Sequence, residues 1–391
     1  AASVSGAPTE GIRIMANAIQ VNGEAGGVAL AERPTSPNSL WLSALPTLRH
    51  APVGDLLPNL LGQRDVQRFA EPQPVPAVAI VGTIPATHGP ISDLALSSDG
   101  RSLVAAHYSA DVVSVVDTAT FAVTATTTGV SEPYAVVVAD RAYVSAASTS
   151  DDAVVAVDIR TGAPLAAKLI NDSAGGMAID PTGDVLYVAR SGDDSAQIVA
   201  IDIESGNAGT VDISAAPGAA VGAVRVSADG SRLFAVVTTD GGSALAVIDT
   251  KRRVLVHTIP LIESVADIAV HPDGNLVYAS GWDAQRGGVI VVIDAVAARV
   301  VETVEVSGLP TQLVVSGQVL YCIDRDDVVV MSTVTNQLID CIDMGRELSC
   351  LVVSGDGRKL FVAGYDGAIS VLRVGLDATS VDVLPDMLQL N

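Results

Sequence analysis

The sequence predicts an all-β fold, a seven-bladed β-propeller of four-stranded antiparallel blades, and three observations predict it. A unit of roughly 40 to 47 residues recurs along most of the chain, the length of one four-stranded blade with its connections. Hydrophobic residues make up 49% of the 391 residues but aromatic ones only 3%. The core must therefore be Val, Ala, Leu and Ile, a mixture whose β-branched members suit a pleated surface better than a helix. Asp-Gly pairs also fall between short apolar runs, where a hairpin needs positive φ and Gly supplies it without steric cost.

Each unit opens with a short apolar strand and a turn. The clearest copies are Asp93 to Gly100, Ala223 to Gly230 and Asp267 to Gly274, with weaker ones at Met177 to Gly183 and Cys350 to Gly357. Two more units turn at Asp140-Arg141 and Ser316-Gly317, which brings the count to seven. Second strands follow at Leu103 to Ala106, Ala142 to Ala146, Leu186 to Ala189, Leu233 to Val237, Val277 to Ser280, Leu320 to Ile323 and Leu360 to Ala363. Third strands end in Asp117, Asp158, Asp202, Asp249 and Asp294, then in Ser332 and Arg373 where the acid is lost. From Asp158 to Asp294 the acids recur at intervals of 44, 47 and 45 residues. An Asp in that place accepts backbone N–H bonds and turns the chain toward the outer strand.

The units resemble the YVTN family of bacterial β-propeller repeats, most closely at Val270-His271-Pro272-Asp273-Gly274-Asn275-Leu276-Val277-Tyr278-Ala279 and at Val113-Ser114-Val115-Val116-Asp117-Thr118. The resemblance covers about residues 77 to 375 and implies the propeller fold. It implies little about activity, since the family spans surface, periplasmic and uncharacterised proteins.

Residues 77-375 are thus assigned to the propeller, 1-76 to a partly irregular N-terminal extension and 376-391 to a C-terminal tail. The strand at 77-85, which stands before Pro90 as Arg299 to Val306 stand before Pro310, is expected to complete the last blade and remove an unpaired edge. The competing closure uses Ser380 to Leu384. In the extension, Leu40-Trp41-Leu42 and Leu56 to Leu61 are the segments able to dock on the ring or on a partner.

A formal net charge of −22 sets up a field that repels phosphate backbones and anionic membranes, so nucleic acid is not an expected partner. Apolar runs fall short of the roughly 20 residues that cross a bilayer. The chain starts Ala1-Ala2-Ser3 without a secretion-signal pattern, so a signal is either lacking or removed, and both a cytoplasmic and an envelope location stay open. Cys322, Cys341 and Cys350, odd in number and without CxxC spacing, argue against a zinc site or disulfide framework and read as small core residues, the alternative being that one pair forms a disulfide. A monomer is expected.

Catalytic signatures are missing. The five histidines, His50, His88, His107, His257 and His271, carry no nucleophile or metal motif around them. His88 and His107 bracket the first two strands of the first unit and could converge near the channel mouth. No catalytic residue and no cofactor are assigned, although a divalent cation would suit an acidic face.

That face is the connection between second and third strands, which should share a side of the disc with the links between blades. It carries Asp111, Asp151, Asp152, Asp193, Asp194, Asp240, Asp283, Asp324, Asp326, Asp327 and Asp366, with Trp282 as a rim aromatic. Turn chemistry alone explains an Asp in a hairpin loop, whereas a ring of them would focus negative potential and attract a cation or a basic partner. The reading favoured by the residues is a non-enzymatic interaction scaffold, tied to envelope or secretion processes, with an unidentified protein partner. The alternative is a lactonase-like or metal-assisted hydrolase in the central channel. A quinone or haem dehydrogenase is disfavoured because its heme-binding motif and stacked Trp residues are missing.

Overall fold

The computed structural model describes residues 77–85, 88–147 and 152–375. They form seven four-stranded antiparallel sheets arranged as blades. Blade 1 is Asp93–Leu96, Ser102–His107, Val112–Asp117 and Val123–Thr128, from the channel outward. The inner strands of blades 2 to 7 are Pro133–Val138, Ser173–Ile179, Ala220–Val226, Ser264–Val270, Pro310–Ser316 and Leu348–Val353. The described helical residues are one 3-10 turn, Tyr108–Ala110. Among the described residues no helix is long and apolar enough to cross a membrane.

Second and third strands are buried on both faces, as in Ser102–His107 and Val112–Asp117, whereas outer strands such as Pro164–Leu169 are mostly exposed. The cause is the stacking of blades. Side chains alternate across a strand, so Leu103 packs toward Phe361 and Val371 of blade 7 while Val104 packs toward Val136 and Val144 of blade 2. The core is accordingly divided into seven seams, one between each pair of neighbouring blades.

The ring closes as expected from the N-terminal side. Ala77–Ile84 pairs antiparallel with Ile369–Gly375 as the outer strand of blade 7, with a register shift between Ile80 and Gly82. Ile84 is buried in the seam with Ile91, Leu94 and Leu103 of blade 1, while Ile80 is 58% exposed. The competing strand at 380–384 lies outside the described residues, as do 1–76.

The Asp-Gly turns differ from the sequence expectation in one respect. They are not two-residue hairpins with both central residues at positive φ. In blade 1 only Gly100 is left-handed, at φ 68°, and the loop closes by Ser97 N–H to Ser102 O and Gly100 N–H to Ser97 O. Asp99 serves by its side chain, accepting from Ser97 Oγ at 2.6 Å and Arg101 N at 3.0 Å. Blade 4 repeats this with Ser227, Asp229 and Ser231. Third-strand acids act as expected: Asp117 accepts from Ala119 N and Thr120 N, and Asp294 from Val296 N and Ala297 N. In blade 6, Ser332 takes the same two bonds at 3.3 and 3.4 Å.

Strand register around the closure is open to a direct test. Ile84→Asp buries a charge without a partner and is expected to cost about 3 kcal/mol or more, whereas Ile80→Asp on the same strand should cost under about 1 kcal/mol. Urea unfolding of the two variants checks this, and equal losses would contradict the pairing.

Candidate functional site

Alternating strand direction puts the second-to-third-strand loops and the blade-to-blade links on one side of the disc. Backbone bonds hold the two together: Gly129 N–H donates to Asp111 O, Ile170 N–H to Asp152 O, Gly218 N–H to Asp193 O and Met344 N–H to Asp326 O. The acidic loops therefore anchor the links, and their side chains divide into two groups.

One group is turned into the fabric. Asp152 Oδ2 accepts from Ala174 N of blade 3 at 2.8 Å, Asp111 Oδ1 from Glu132 N at 2.8 Å, and Asp324 Oδ1 from Leu309 N at 2.6 Å. Asp152 and Asp324 are buried, at 8% and 4% exposure, which corrects the expectation that they belong to a solvent-facing acidic ring. Serine takes the same job where the acid is missing, Ser191 Oγ accepting from Val221 N and Ser243 Oγ from Val265 N. The reason is that an N–H entering an inner strand at a blade junction is costly to leave unmet.

The other group faces water. Asp193, Asp194, Asp240 and Asp366 are exposed and Asp326 half-buried. Asp366 also accepts from Ala368 N and lies 3.2 Å from Arg346. Half-buried Asp327 is held above the usual carboxylate range by burial and by the charges of Asp326, Asp343 and Asp324. Asp283 caps its loop by accepting from Gln285 N and Arg286 N. Trp282 is 43% exposed, with its ring against Gly287. Asp151 lies outside the described residues. Among the described residues, no group of three or more His, Cys, Asp or Glu side chains is arranged to hold a metal ion.

His88 and His107 do converge, with ring centroids 5.4 Å apart in an edge-to-face contact. His107 is buried and committed: Nδ1 lies 3.2 Å from Gly89 O and Nε2 2.8 Å from Ser114 Oγ. A carbonyl only accepts, so Nδ1 carries the proton and Nε2 accepts from the serine hydroxyl. Burial pushes His107 below the ordinary histidine range, the Gly89 bond opposing it. With both nitrogens bonded, this pair fixes the start of blade 1 and leaves His107 no lone pair for a metal. The cysteines part company. Cys322 and Cys350 are buried as expected, but Cys341 sits exposed on the outer strand of blade 6, where desolvation and the neighbouring Asp327 push its thiol up to about 11.

Sequence reasoning missed the set lining the channel. Asp93, Asp267 and Gln312 occupy the same place on inner strands 1, 5 and 6, just before the buried apolar residue. Asp93 Oδ2 accepts from Val136 N of blade 2 at 2.8 Å, Asp267 Oδ2 from Leu313 N of blade 6 at 3.2 Å, and Gln312 Oε1 from Leu351 N of blade 7 at 2.6 Å. Gln312 Nε2 also donates to Asp93 Oδ1 at 3.3 Å, and Arg225 of blade 4 forms a 2.7 Å ion pair with Asp267. Burial dominates the titration of both acids. It raises Asp93 to about 6 against the opposing pull of the Val136 N–H, Arg225, the Leu94 N–H and Gln312, and it raises Asp267 against Arg225. One cation thus serves two carboxylates in the wall of the channel. Aligning the repeats exposes the signal, because blades 2, 3, 4 and 7 carry Ala135, Gly176, Ala223 and Cys350 at this place.

No protein-family model matches the chain. The chain is 34% identical over 345 residues to the seven-bladed beta-propeller protein Rv1057 of Mycobacterium tuberculosis, across 78% of this chain and 87% of the relative. Among solved structures it is similar to hydrazine synthase of Kuenenia stuttgartiensis, with a TM-score of 0.67 and 23% identity over 76% of this chain and all of that one. At that identity the likeness is one of fold.

Two expectations follow for the acids. Asp324→Ala strands the Leu309 N–H and should cost about 1–3 kcal/mol, while Asp193→Ala should stay within about 0.5 kcal/mol; thermal unfolding of both distinguishes staple from surface. In the channel, the ionised forms of Asp93 and Asp267 oppose folding, a penalty that is absent well below the unfolded value near 4 and grows as pH rises through the higher folded values. Removing Arg225 raises those values further. Arg225→Gln is therefore expected to lose about 3 kcal/mol or more at pH 8 and much less at pH 4.5, with exposed Arg101→Gln as the control. Urea unfolding at both pH values checks the sign; a loss independent of pH would contradict it.

Proposed function

The chain belongs to the family of the mycobacterial seven-bladed β-propeller protein Rv1057, and on that premise we propose that it is a binding propeller whose acidic loop face holds a protein partner without turning over a substrate. One observation carries the reading. The groups suited to chemistry are taken up by the fold, Asp93, Asp267 and half-buried Arg225 in bonds between blades and buried His107 in bonds to Gly89 and to Ser114 of its own blade, whereas Asp193, Asp194, Asp240 and Asp326 are presented to solvent or at its edge on loops fixed by the ring. Fixed loops lose little conformational entropy on association, and carboxylates on one side steer a basic surface toward the disc. The resemblance to YVTN repeats is the ground for expecting that partner in the cell envelope.

A second reading keeps the channel as a hydrolase centre, and the acid at about 6 beside a guanidinium favours it. Against it, both Asp93 oxygens already accept backbone N–H bonds, which leaves little capacity to take a proton from water. A screen of purified protein for lactone hydrolysis and bound metal discriminates the two.

The binding reading is tested by capture from the protein's own cell lysate, comparing the full chain with Asp193, Asp194, Asp240 and Asp326 all changed to Asn. Asp152 and Asp324 are left intact because they staple the ring. Partner recovered at about 50 mM salt is expected to fall away near 300 mM, where the screening length shortens, and to be lost from the variant. Recovery indifferent to both salt and substitution would overturn the acidic face.

A further inference from the structure

The cleft between blades 4 and 5 opens on the acidic side of the disc and contains a cavity of about 360 Å³, within the range of small ligand sites. Apolar side chains form part of its wall, Pro260, Leu261 and Ile262 from the link between the blades and Val291 and Val300 from blade 5. Its lip is charged, with Glu263 and Asp283 against Arg286. Gly242 sits at the mouth at φ 110°, a conformation closed to other residues, so no side chain narrows it there.

Asp283 is the informative group. Its side chain is only 16% exposed, yet its Oδ2 lies 3.8 Å from Arg286 Nη1, too far for a hydrogen bond. Oδ1 is spent on two backbone N–H groups. Oδ2 of this cleft-lining residue therefore keeps capacity, and exposed Glu263, also in the lining, accepts from Ala284 N with one oxygen at 3.2 Å. The lip carries two acids against one base, on a chain of net charge −22.

We propose that this cleft docks a basic segment of the protein partner, an arginine or lysine lying with its aliphatic stem on Ile262 and Val300 and its cationic head between Glu263 and Asp283. The inference rests on the binding-propeller reading and names the chemistry of its partner. Apolar wall residues beside two acids match a side chain that covers its methylenes and keeps a charged end in water. Neither an anion nor a wholly apolar ligand satisfies both parts. Trp282 is not a wall of the cavity, since its neighbour Asp283 lines it and successive side chains on a strand point to opposite faces.

The test uses the full chain and a fluorescein-labelled peptide, Gly-Leu-Arg-Val-Arg-Gly, followed by anisotropy at about 50 mM salt. A peptide with citrulline in place of both arginines keeps the shape and removes the charge. Glu263→Gln with Asp283→Asn, which keeps every backbone acceptor, is expected to weaken the arginine peptide at least tenfold. Thr303→Arg, on the outer strand of blade 5, fills the cleft with a guanidinium of its own and should weaken it as much. Asp193→Asn with Asp194→Asn, on blade 3, should change it no more than twofold. Equal weakening by the blade 3 and cleft substitutions would sink the cleft while leaving the acidic face standing. Equal binding of the citrulline peptide, or no binding of the arginine peptide, would also sink it, and the lysate capture judges the face separately.

Discussion

The structure depends on the fact that no blade can cover its own two faces. A four-stranded sheet of Val, Ala, Leu and Ile exposes apolar side chains both ways, and only a neighbour on each side removes them from water. Seven seams therefore replace a single core. Seven blades in a row would still leave two uncovered faces, so the chain must close. Closure by Ala77–Ile84 pairs the first described strand with the last blade and places Ile84 in the seam that joins blade 7 to blade 1.

Stacking sheets in a ring also creates a shortage of hydrogen-bond partners. Inner strands pair on one side only, so N–H groups facing the next blade or the channel need acceptors from side chains. Asp93, Asp267 and Gln312 each supply one to the following blade, and Asp152, Ser191 and Ser243 do the same farther toward the loop face. Using carboxylates in this way carries an electrostatic cost, visible in the raised titration of Asp93 and Asp267 and offset in part by Arg225. Net hydrogen-bond gains are modest while an unmet buried N–H is expensive, which explains why the cost is borne.

These constraints decide what could be read in advance. Blade number, strand order and closure were legible because burial on both sides of the middle strands writes continuous apolar runs, repeated at the blade length. The turns were legible in position but not in chemistry. The pair Asp99-Gly100 announces a hairpin, whereas the role of Asp99 as an acceptor for Ser97 and Arg101 depends on a loop closed between Ser97 and Ser102. The loop acids looked alike in sequence and separate in space. Asp193 follows the tip of a long second strand and reaches water, while Asp324 ends a shorter one and reaches back to Leu309 N. The channel set was hidden because Asp93, Asp267 and Gln312 come from three repeats, with Arg225 from a fourth, and each stands alone in its own. Only superimposing the repeats shows an acceptor where other blades have Ala, Gly or Cys.

The same logic separates fold from activity. Hydrazine synthase and this chain share a ring at 23% identity, and a ring of apolar seams fixes where loops and channel lie without saying what they do. Chemistry would have to come from groups the fold does not need. Among the described residues, the candidates in the channel wall and at its mouth are bonded within the fold: Asp93 and Asp267 by inner-strand N–H groups, Arg225 by Asp267, His107 by Gly89 and Ser114. Among the described residues, charge that the seams do not use stands on the loop side, in exposed Asp193 and Asp194 on blade 3 and Asp240 on blade 4. Substituting those acids should cost the fold little, so this side can vary without disturbing the seams. On the binding reading proposed above, a ring free to change on one charged face would choose its partner by which cation reaches which carboxylate.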